Sequence, residues 1–179
     1  MLSIFNKYRG YKMSRSWDLG WDYRQVYRLL LSKIREHLSR RAFASYCYAC
    51  VLLIQLRNGS RVSEAVDAAI KFADQRSSEV YVRVRKRRDG YERLMVLPEE
   101  LKIRDIAVCR EILSSGNATL RVKIYAKKVL GINTHSLRYA RITHMLKNNI
   151  SPSIVAKITG HKKLDYILTY TQIKKQKKP

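Results

Sequence analysis

The longest apolar run in the chain, AFASYCYACVLLIQL, limits its possible folds more than any other feature. The run extends from Ala42 to Leu56 and contains no charged residue. A membrane-spanning helix needs about 20 consecutive apolar residues, so this run is too short to cross a bilayer. We interpret it as a helix buried in a globular core, ending at the turn-forming dipeptide Asn58-Gly59. The length of 179 residues fits a single domain around such a core.

The charge of the chain indicates a polyanionic partner. There are 37 Lys and Arg against 14 Asp and Glu, a formal net charge of +23, and such an excess repels itself unless it is neutralised. Nucleic acid is therefore the first partner predicted. The alternatives are a merely solvated basic surface and attachment to an anionic membrane, but the charge is not gathered in one amphipathic anchor. The N-terminus lacks the apolar segment of a secretory signal, so we expect a cytoplasmic protein with no membrane attachment.

The cysteines give little indication of a metal or disulfide site. Cys47, Cys50 and Cys109 are odd in number, which does not predict a disulfide framework. Cys47 and Cys50 form a CxxC pair inside the apolar run, but no second ligand pair follows, so zinc binding or redox use is the weaker interpretation. We expect packed core thiols in a reducing compartment, and no metal.

The hydrophobic periodicity predicts a mainly helical α+β domain. Between the helices, valines alternate with polar residues in EVYVRVR, Asp89-Gly90 supplies a turn, and YERLMVL returns, which predicts an antiparallel hairpin. Residues 1–20 are expected to form a basic mobile arm, residues 21–172 the domain, and residues 173–179 a basic tail. The helices are predicted at 21–38, 42–56, 62–72, 98–115, 119–130, 135–148 and 152–158.

Five segments contain side chains that could contact a phosphate. Each has a structural explanation when taken singly: Arg61 could pair with Glu64, Lys86 lies in the basic cluster RVRKRR, and His161 could cap the turn after Gly160. The candidates are Arg61, Lys86, His135 with Arg138, His161, and Tyr170.

The order and spacing of these segments resemble the catalytic domain of the tyrosine recombinase, or phage integrase, family. NGSRVSEAVDA, a hairpin Lys, HSLRYARITHML and ITGHKKLDYILTYTQ follow one another as the family's boxes do, over about 38–172. The resemblance assigns the family's first Arg to Arg61 with Glu64 as its acidic neighbour, the hairpin Lys to Lys86, the HxxR box to His135 and Arg138, the second His to His161, and the nucleophile to Tyr170, nine positions later.

These residue types suit phosphoryl transfer. Negative charge builds on the phosphate oxygens during the reaction, so cations fixed in advance are the main requirement. Arg61 and Arg138 can each present two donors to the phosphate. The resemblance implies that Tyr170 becomes joined to a DNA 3′-phosphate, that Lys86 donates a proton to the leaving 5′-oxygen, that His135 assists proton transfer, and that His161 bonds a phosphoryl oxygen. No cofactor is expected.

Two further sets of residues enter the prediction. Tyr166 is the rival nucleophile, only five residues after His161, and its alternative role is packing. The hairpin cluster is expected to bind DNA phosphates without sequence preference, through Arg83, Arg85, Arg87 and Arg88.

The resemblance has one departure that affects function. Full members of the family usually carry a separate N-terminal helical domain, whereas here only a short segment precedes Leu38. Either the basic N-terminal arm substitutes in part for that domain, or the chain is a catalytic fragment or a compact variant, like the integrases of archaeal viruses and plasmids. Many relatives have His or Arg at the position of Tyr139, and Leu at the position of Thr159. Both residues are expected to be packing neighbours of the site.

We expect double-stranded DNA as the partner, self-assembly as a dimer or tetramer on it, and recombination or integration as the activity. The alternatives are a type IB-like nicking and closing activity and a non-catalytic DNA-binding module.

Overall fold

The computed structural model describes residues 21–85 and 87–167. The predicted arm, residues 1–20, and the predicted tail, residues 173–179, lie outside the described residues, and so do Lys86 and Tyr170. The elements, in chain order, are α1 (Tyr23–Ser39), α2 (Phe43–Asn58), α3 (Val62–Gln75), β1 (Glu79–Arg83), β2 (Glu92–Val96), α4 (Ile103–Ala107), α5 (Arg110–Ser114), α6 (Ala118–Leu130), α7 (Thr134–Lys147) and α8 (Pro152–Thr159).

The apolar run forms α2, the central helix of the fold. Its residues are buried on nearly all sides, and α1, α3, α6 and α7 pack around it. It ends where Gly59 takes a left-handed conformation at φ +57°, which a residue with a side chain rarely adopts. The predicted class, a mainly helical α+β domain with one small antiparallel sheet, is confirmed.

The hairpin is attached to the end of α2. Its strands pair antiparallel, with Val80 opposite Met95, and both of these side chains are buried against the core. The Asn58 side chain donates to the Val96 carbonyl at 2.8 Å and accepts from the Val96 backbone N–H at 2.9 Å. Since Asn58 precedes the turn that leads to Arg61, these two bonds place β2 beside a predicted site residue.

The single helix predicted from 98 to 115 is wrong. Pro98 begins a turn, with its carbonyl accepting from Leu101 N–H at 2.9 Å, and the helical structure is divided between α4 and α5. The Asp105 carboxylate accepts from the backbone N–H of Lys102 at 2.7 Å, so it caps α4 several residues after the proline. A local acidic cap, and not Pro98 at the start of the predicted range, therefore determines where α4 begins.

The expectation of three packed thiols is also wrong. Cys47 on α2 and Cys109, between α4 and α5, form a disulfide with their Cα atoms 5.3 Å apart. Cys50 remains a buried free thiol, and burial raises its pKa to about 12. The pairing connects residues 62 positions apart in sequence, so it depends on the packing of α2 against the α4–α5 region.

A second, smaller core supports the C-terminal part of the described chain. Its buried side chains come from α7, α8 and the segment that follows: Tyr139, Ile142, Met145, Val155, Ala156 and Ile167. Ile167 is fully buried, three positions before Tyr170 in the sequence. Across the described ranges, every helix falls short of the length or hydropathy that crossing a membrane requires.

Candidate functional site

Four of the predicted site residues line one cleft of about 420 Å³. Arg61 comes from the turn after α2, His135 and Arg138 from the first two turns of α7, and His161 from the segment just after α8. The structure thus brings together side chains from three parts of the chain. The other residues lining this cleft are Gln55, Val62, Ser63, Thr119, Lys123, Asn133 and Thr134.

Glu64 fixes the position of Arg61. The Arg61 Nη1 donates to Glu64 Oε1 at 2.8 Å, and the Arg61 backbone N–H donates to Glu64 Oε2 at 3.1 Å. The Glu64 side chain is fully buried, while that of Arg61 keeps 27% of its surface exposed. The carboxylate therefore holds one side of the guanidinium, and the exposed fraction faces the cleft and its solvent.

Arg138 is the most deeply buried cation of the cleft, at 1% exposure. Its Nη1 donates to the Gly59 carbonyl at 2.8 Å, two residues before Arg61. Its Nη2 lies 2.9 Å from Nε2 of His161. These contacts connect the HxxR helix to both of the other parts of the site.

The hydrogen bonds of His161 define its tautomer. A guanidinium can only donate, and Arg138 Nη2 lies nearer to Nε2 (2.9 Å) than to Nδ1 (3.3 Å), so Nε2 accepts from Arg138 and Nδ1–H donates to Thr159 Oγ1 at 2.6 Å. Thr159 in turn donates to the Val155 carbonyl at 2.6 Å. Burial, followed by the charge of Arg138, lowers the pKa of His161 to about 3. The ring is therefore neutral at physiological pH, and Thr159 contributes a hydrogen bond as well as packing.

Gly160, the residue before His161, packs closely against the hairpin. This residue has a φ of +71°, and a Cβ placed on it would lie 2.9 Å from Cγ2 of Val84, just after β1. A side chain there would clash with the hairpin and would also need an unfavourable backbone conformation. Gly160 thereby allows the hairpin to pack directly against the segment carrying His161.

His135 occupies the first turn of α7 and is exposed. Asn133 caps this helix, because its side-chain oxygen accepts from the His135 backbone N–H at 2.9 Å. The positive end of the helix macrodipole at this terminus favours a negative group in the cleft. The location of His135 therefore suits contact with an anionic ligand.

Arg93 is a buried cation near His161 and Glu64. It lies on β2 at 2% exposure, and its Nη2 donates to the Asn58 carbonyl at 2.8 Å. Burial lowers its pKa to about 10, and the nearby Glu64 carboxylate opposes that shift. Arg93 adds positive potential to the site from the side of the hairpin.

The hairpin arginines differ in their contacts. Arg85 forms a two-pronged ion pair with Asp67 at 2.8–3.0 Å, and Arg87 pairs with Asp89 and lies 3.9 Å over the Tyr91 ring. Arg83 and Arg88 are exposed. A second cleft of about 460 Å³ near the hairpin tip is lined by Arg87, Arg88, Asp89 and Lys162.

Two of the predicted site residues, Lys86 and Tyr170, lie outside the described residues. Tyr166, the rival nucleophile, is described, and its side chain is 61% exposed. It is therefore not a core residue, and packing does not account for it. Within residues 21–85 and 87–167, no group of three or more His, Cys, Asp or Glu side chains is arranged to hold a metal ion.

Sequence patterns give no indication that seven residues line this cleft, among them Gln55, Thr119 and Lys123. In the sequence, Gln55 is simply a member of the apolar run. Thr119 and Lys123 lie on α6, in a segment without a recognisable motif. A polar residue within an otherwise apolar helix was the one available signal, and it pointed to Gln55.

The sequence of the chain is similar to a family model and to several known proteins. The family model described as "Phage integrase family" matches residues 24–177. "Putative integrase ORF241" of Acidianus two-tailed virus is 36% identical over 91% of this chain and 67% of its own length. The uncharacterized protein MJ0770 of Methanocaldococcus jannaschii is 35% identical over 90% of this chain and 86% of its own length, and "Putative integrase V10" of Sputnik virophage is 27% identical over 91% and 88%. No solved structure matches the chain significantly.

Proposed function

The chain belongs to the phage integrase family, and from this we propose that it cleaves and rejoins DNA strands through a covalent phosphotyrosine intermediate. The observation that carries the proposal is the single cleft in which Arg61, His135, Arg138 and His161 converge. Arginine and histidine donors gathered around one space, at the positive end of a helix, are suited to one phosphate.

The proposed reaction is a transfer of one phosphodiester bond. The Tyr170 oxygen attacks the scissile phosphorus, a bond from this oxygen to phosphorus forms, and the bond to the DNA 5′-oxygen breaks. The phenol loses its proton with help from His135, and Lys86 gives a proton to the departing 5′-oxygen. Attack by a 5′-hydroxyl then reverses these steps and releases the tyrosine.

The described residues support the stabilisation of charge in this reaction. Arg61 is held by Glu64 before any substrate arrives, so little reorganisation is needed when charge develops on the phosphate. Arg138 is surrounded by acceptors, the Gly59 carbonyl and His161, which a phosphate oxygen can replace. His161 can then bond a phosphoryl oxygen only after it changes its present donor and acceptor arrangement or gains a proton.

Relaxation of supercoiled circular DNA tests the strand-cleavage activity without knowledge of a target site. We expect the chain to relax the circles and Arg138→Ala to lose relaxation while it still binds DNA. Binding without relaxation under all conditions would favour the non-catalytic DNA-binding module. An exchange assay with two sites then separates recombination from nicking and closing alone, since only recombination joins strands from different duplexes.

We also propose double-stranded DNA as the partner and residues 21–172 as the catalytic domain. The net charge of +23 and the exposed arginines of the hairpin support the first proposal. The family match over residues 24–177 supports the second. Assembly of two or four copies on DNA follows from the requirement that strand exchange joins two duplexes, and sedimentation of the protein with and without DNA tests it.

A further inference from the structure

Gln55 is a polar residue in the most apolar part of the fold. It lies on α2, is 1% exposed, and its neighbours in the helix are Ile54 and Leu56, both fully buried. A buried amide costs free energy unless it forms hydrogen bonds, so its contacts indicate why it is useful there. Gln55 also lines the cleft that contains the proposed phosphate-binding residues.

The Gln55 amide donates two hydrogen bonds to backbone carbonyls. Its Nε2 donates to the Ser60 carbonyl at 3.2 Å and to the Thr134 carbonyl at 2.8 Å. Carbonyl oxygens only accept, so these partners define which end of the amide is the nitrogen. Its Oε1 has no hydrogen-bond partner among the described residues, which makes the two donated bonds the main polar role of this side chain.

Each carbonyl belongs to the residue immediately before a proposed phosphate-binding residue. Ser60 precedes Arg61 at the start of α3, and Thr134 precedes His135 at the start of α7. One amide group therefore connects two segments whose side chains must contact the same phosphate. A shift of either segment would change the separation between Arg61 and His135.

Arg138 makes another hydrogen bond between these segments, but the proposed reaction requires its side chain. Arg138 Nη1 donates to the Gly59 carbonyl, but this guanidinium is also proposed to bind the phosphate. If Arg138 turns toward the substrate, its bond to Gly59 weakens or breaks. The Gln55 amide has no such second task, so it can hold the α2–α3 turn against α7 throughout the reaction.

We propose that Gln55 is a positioning residue that sets the separation between Arg61 and His135 through the Ser60 and Thr134 carbonyls. This inference deepens the proposed function and rests on it. Gln55 acts through the backbone, and its Nε2 donors are already used, so it takes no part in bond making. Displacements of about 1 Å in such positioning groups can reduce a reaction rate by about 100-fold.

The test compares substitutions that remove buried hydrogen bonds at Gln55 and at a control position. Gln55→Leu removes both donors with nearly the same volume, and Gln55→Met, an unbranched replacement, serves if the first variant does not fold. Tyr125→Phe is the matched control, because it removes the buried contact between the Tyr125 hydroxyl and His37 Nε2 at 2.8 Å. The rate of covalent adduct formation on nicked duplex DNA should fall tenfold or more in the Gln55 variants, and less than twofold in Tyr125→Phe.

A double-mutant cycle distinguishes positioning from general loosening of the fold. In a His135→Ala background, Gln55→Leu should slow adduct formation by less than about twofold, because the group that it positions is gone. Equal effects of Gln55→Leu with and without His135 would overturn the inference. A reduction as large in Tyr125→Phe as in Gln55→Leu would overturn it as well.

Binding of inorganic phosphate gives a readout that does not depend on DNA cleavage. Phosphate should shift the NMR signals of His135 and His161. Gln55→Leu should raise the phosphate concentration needed for half of this shift by fivefold or more. If the wild-type chain forms no adduct but this change in phosphate binding is seen, the strand-transfer proposal fails and the positioning role of Gln55 stands. If Gln55→Leu leaves both phosphate binding and adduct formation unchanged, the positioning role fails.

Discussion

His161 illustrates how a single side chain is determined by its contacts. Arg138 donates to its Nε2, and Thr159 accepts from its Nδ1, so the neutral ring satisfies every one of these contacts. Burial and the neighbouring arginine charge lower its pKa to about 3. Protonation would turn Nε2 into a donor directed at another donor, which agrees with the direction of the shift.

We predict that His161 does not titrate between pH 5 and 8 in the free chain. The measurement is the pH dependence of its ring proton signals by NMR, assigned with His161→Gln. A midpoint near 6.5, the ordinary value for histidine, would contradict this account of its contacts.

The same pKa predicts how stability depends on pH. The unfolded chain binds a proton at His161 below about pH 6.5, whereas the folded chain does not do so until about pH 3. The contribution of His161 to stability is therefore present above pH 6.5 and is lost as the pH falls through this window. Unfolding by urea between pH 7 and 4 should show a smaller decrease in stability for His161→Gln than for the wild-type chain.

The Glu64 carboxylate is the second residue with a defined role. Glu64→Ala leaves the Arg61 guanidinium and the Arg61 backbone N–H without their partner. We expect a loss of about 3 kcal/mol in the free energy of unfolding, the range for a broken buried ion pair, and at least a tenfold slower formation of the DNA adduct. Glu36→Ala on α1, which removes the surface partner of Lys33 and Arg40, should change the stability by less than about 1 kcal/mol.

Some of these residues could be predicted from the sequence because their type and spacing follow the pattern of the family. Arg61, His135, Arg138 and His161 occur in short recognisable segments, and the structure brings them to one cleft. The pairing of Arg61 with Glu64 was visible at a spacing of three residues. Gln55 and Thr159 could not be assigned a role in the same way. Gln55 bonds the distant Thr134 carbonyl, and the contact of Thr159 with His161 depends on the exact packing of the turn at Gly160.

At the scale of elements, the sequence predicted helices well where local signals marked their ends. Ser151 caps α8, Gly59 ends α2, and alternating valines define β1. The region 98–115 was predicted poorly, because Pro98 permits a helix to begin without requiring one. The disulfide was missed for a similar reason, since only tertiary packing brings Cys47 close to Cys109.

The disulfide gives a prediction about the stability of α2 and its surroundings. Closing a loop of 62 residues is worth about 4 kcal/mol in the chain-entropy description. Reductant should therefore lower the urea midpoint of the wild-type chain. The double variant Cys47→Ala/Cys109→Ala should show this lowered midpoint even without reductant. Cys50→Ala, which removes a buried thiol outside the bond, is the control and should retain the response to reductant.

A count of reactive thiols provides an independent check on the bond. Under denaturing, non-reducing conditions, the chain should show one free thiol, that of Cys50. Three reactive thiols in the purified protein would show that the bond does not form.

The hairpin gives a prediction about DNA binding. Arg85 and Arg87 already pair with Asp67 and Asp89, so Arg83 and Arg88 should contribute more to phosphate binding. Each phosphate contact adds about 0.9 to the slope of log affinity against log salt concentration. Replacing both Arg83 and Arg88 by Ala should therefore reduce this slope by about 2.

The matched control is replacement of Lys127 and Lys128, exposed cations in the last turn of α6. It removes the same charge from another surface and should leave the slope nearly unchanged. An unchanged slope in the hairpin variant would remove the hairpin from the DNA interface. Equal decreases in both variants would show that only the total charge matters.

At the scale of the whole molecule, the site depends on the central position of α2. Its C-terminal end meets the hairpin through Asn58, the HxxR helix through Gly59 and Gln55, and the start of α3 through Ser60. The three parts of the site are distant in sequence and are brought together by this one helix end. The sequence could indicate the residues, but their convergence required the tertiary structure.

The central claim, that this convergence serves attack by a tyrosine on a DNA phosphate, is tested most directly by trapping the covalent intermediate. The protein is mixed with end-labelled nicked duplexes of varied sequence and denatured, beside Tyr170→Phe and Tyr166→Phe. We predict a labelled protein-DNA band that is lost in Tyr170→Phe and retained in Tyr166→Phe. A band lost only in Tyr166→Phe would show that Tyr166 is the nucleophile. Clear DNA binding with no band for any duplex would contradict the claim of strand cleavage.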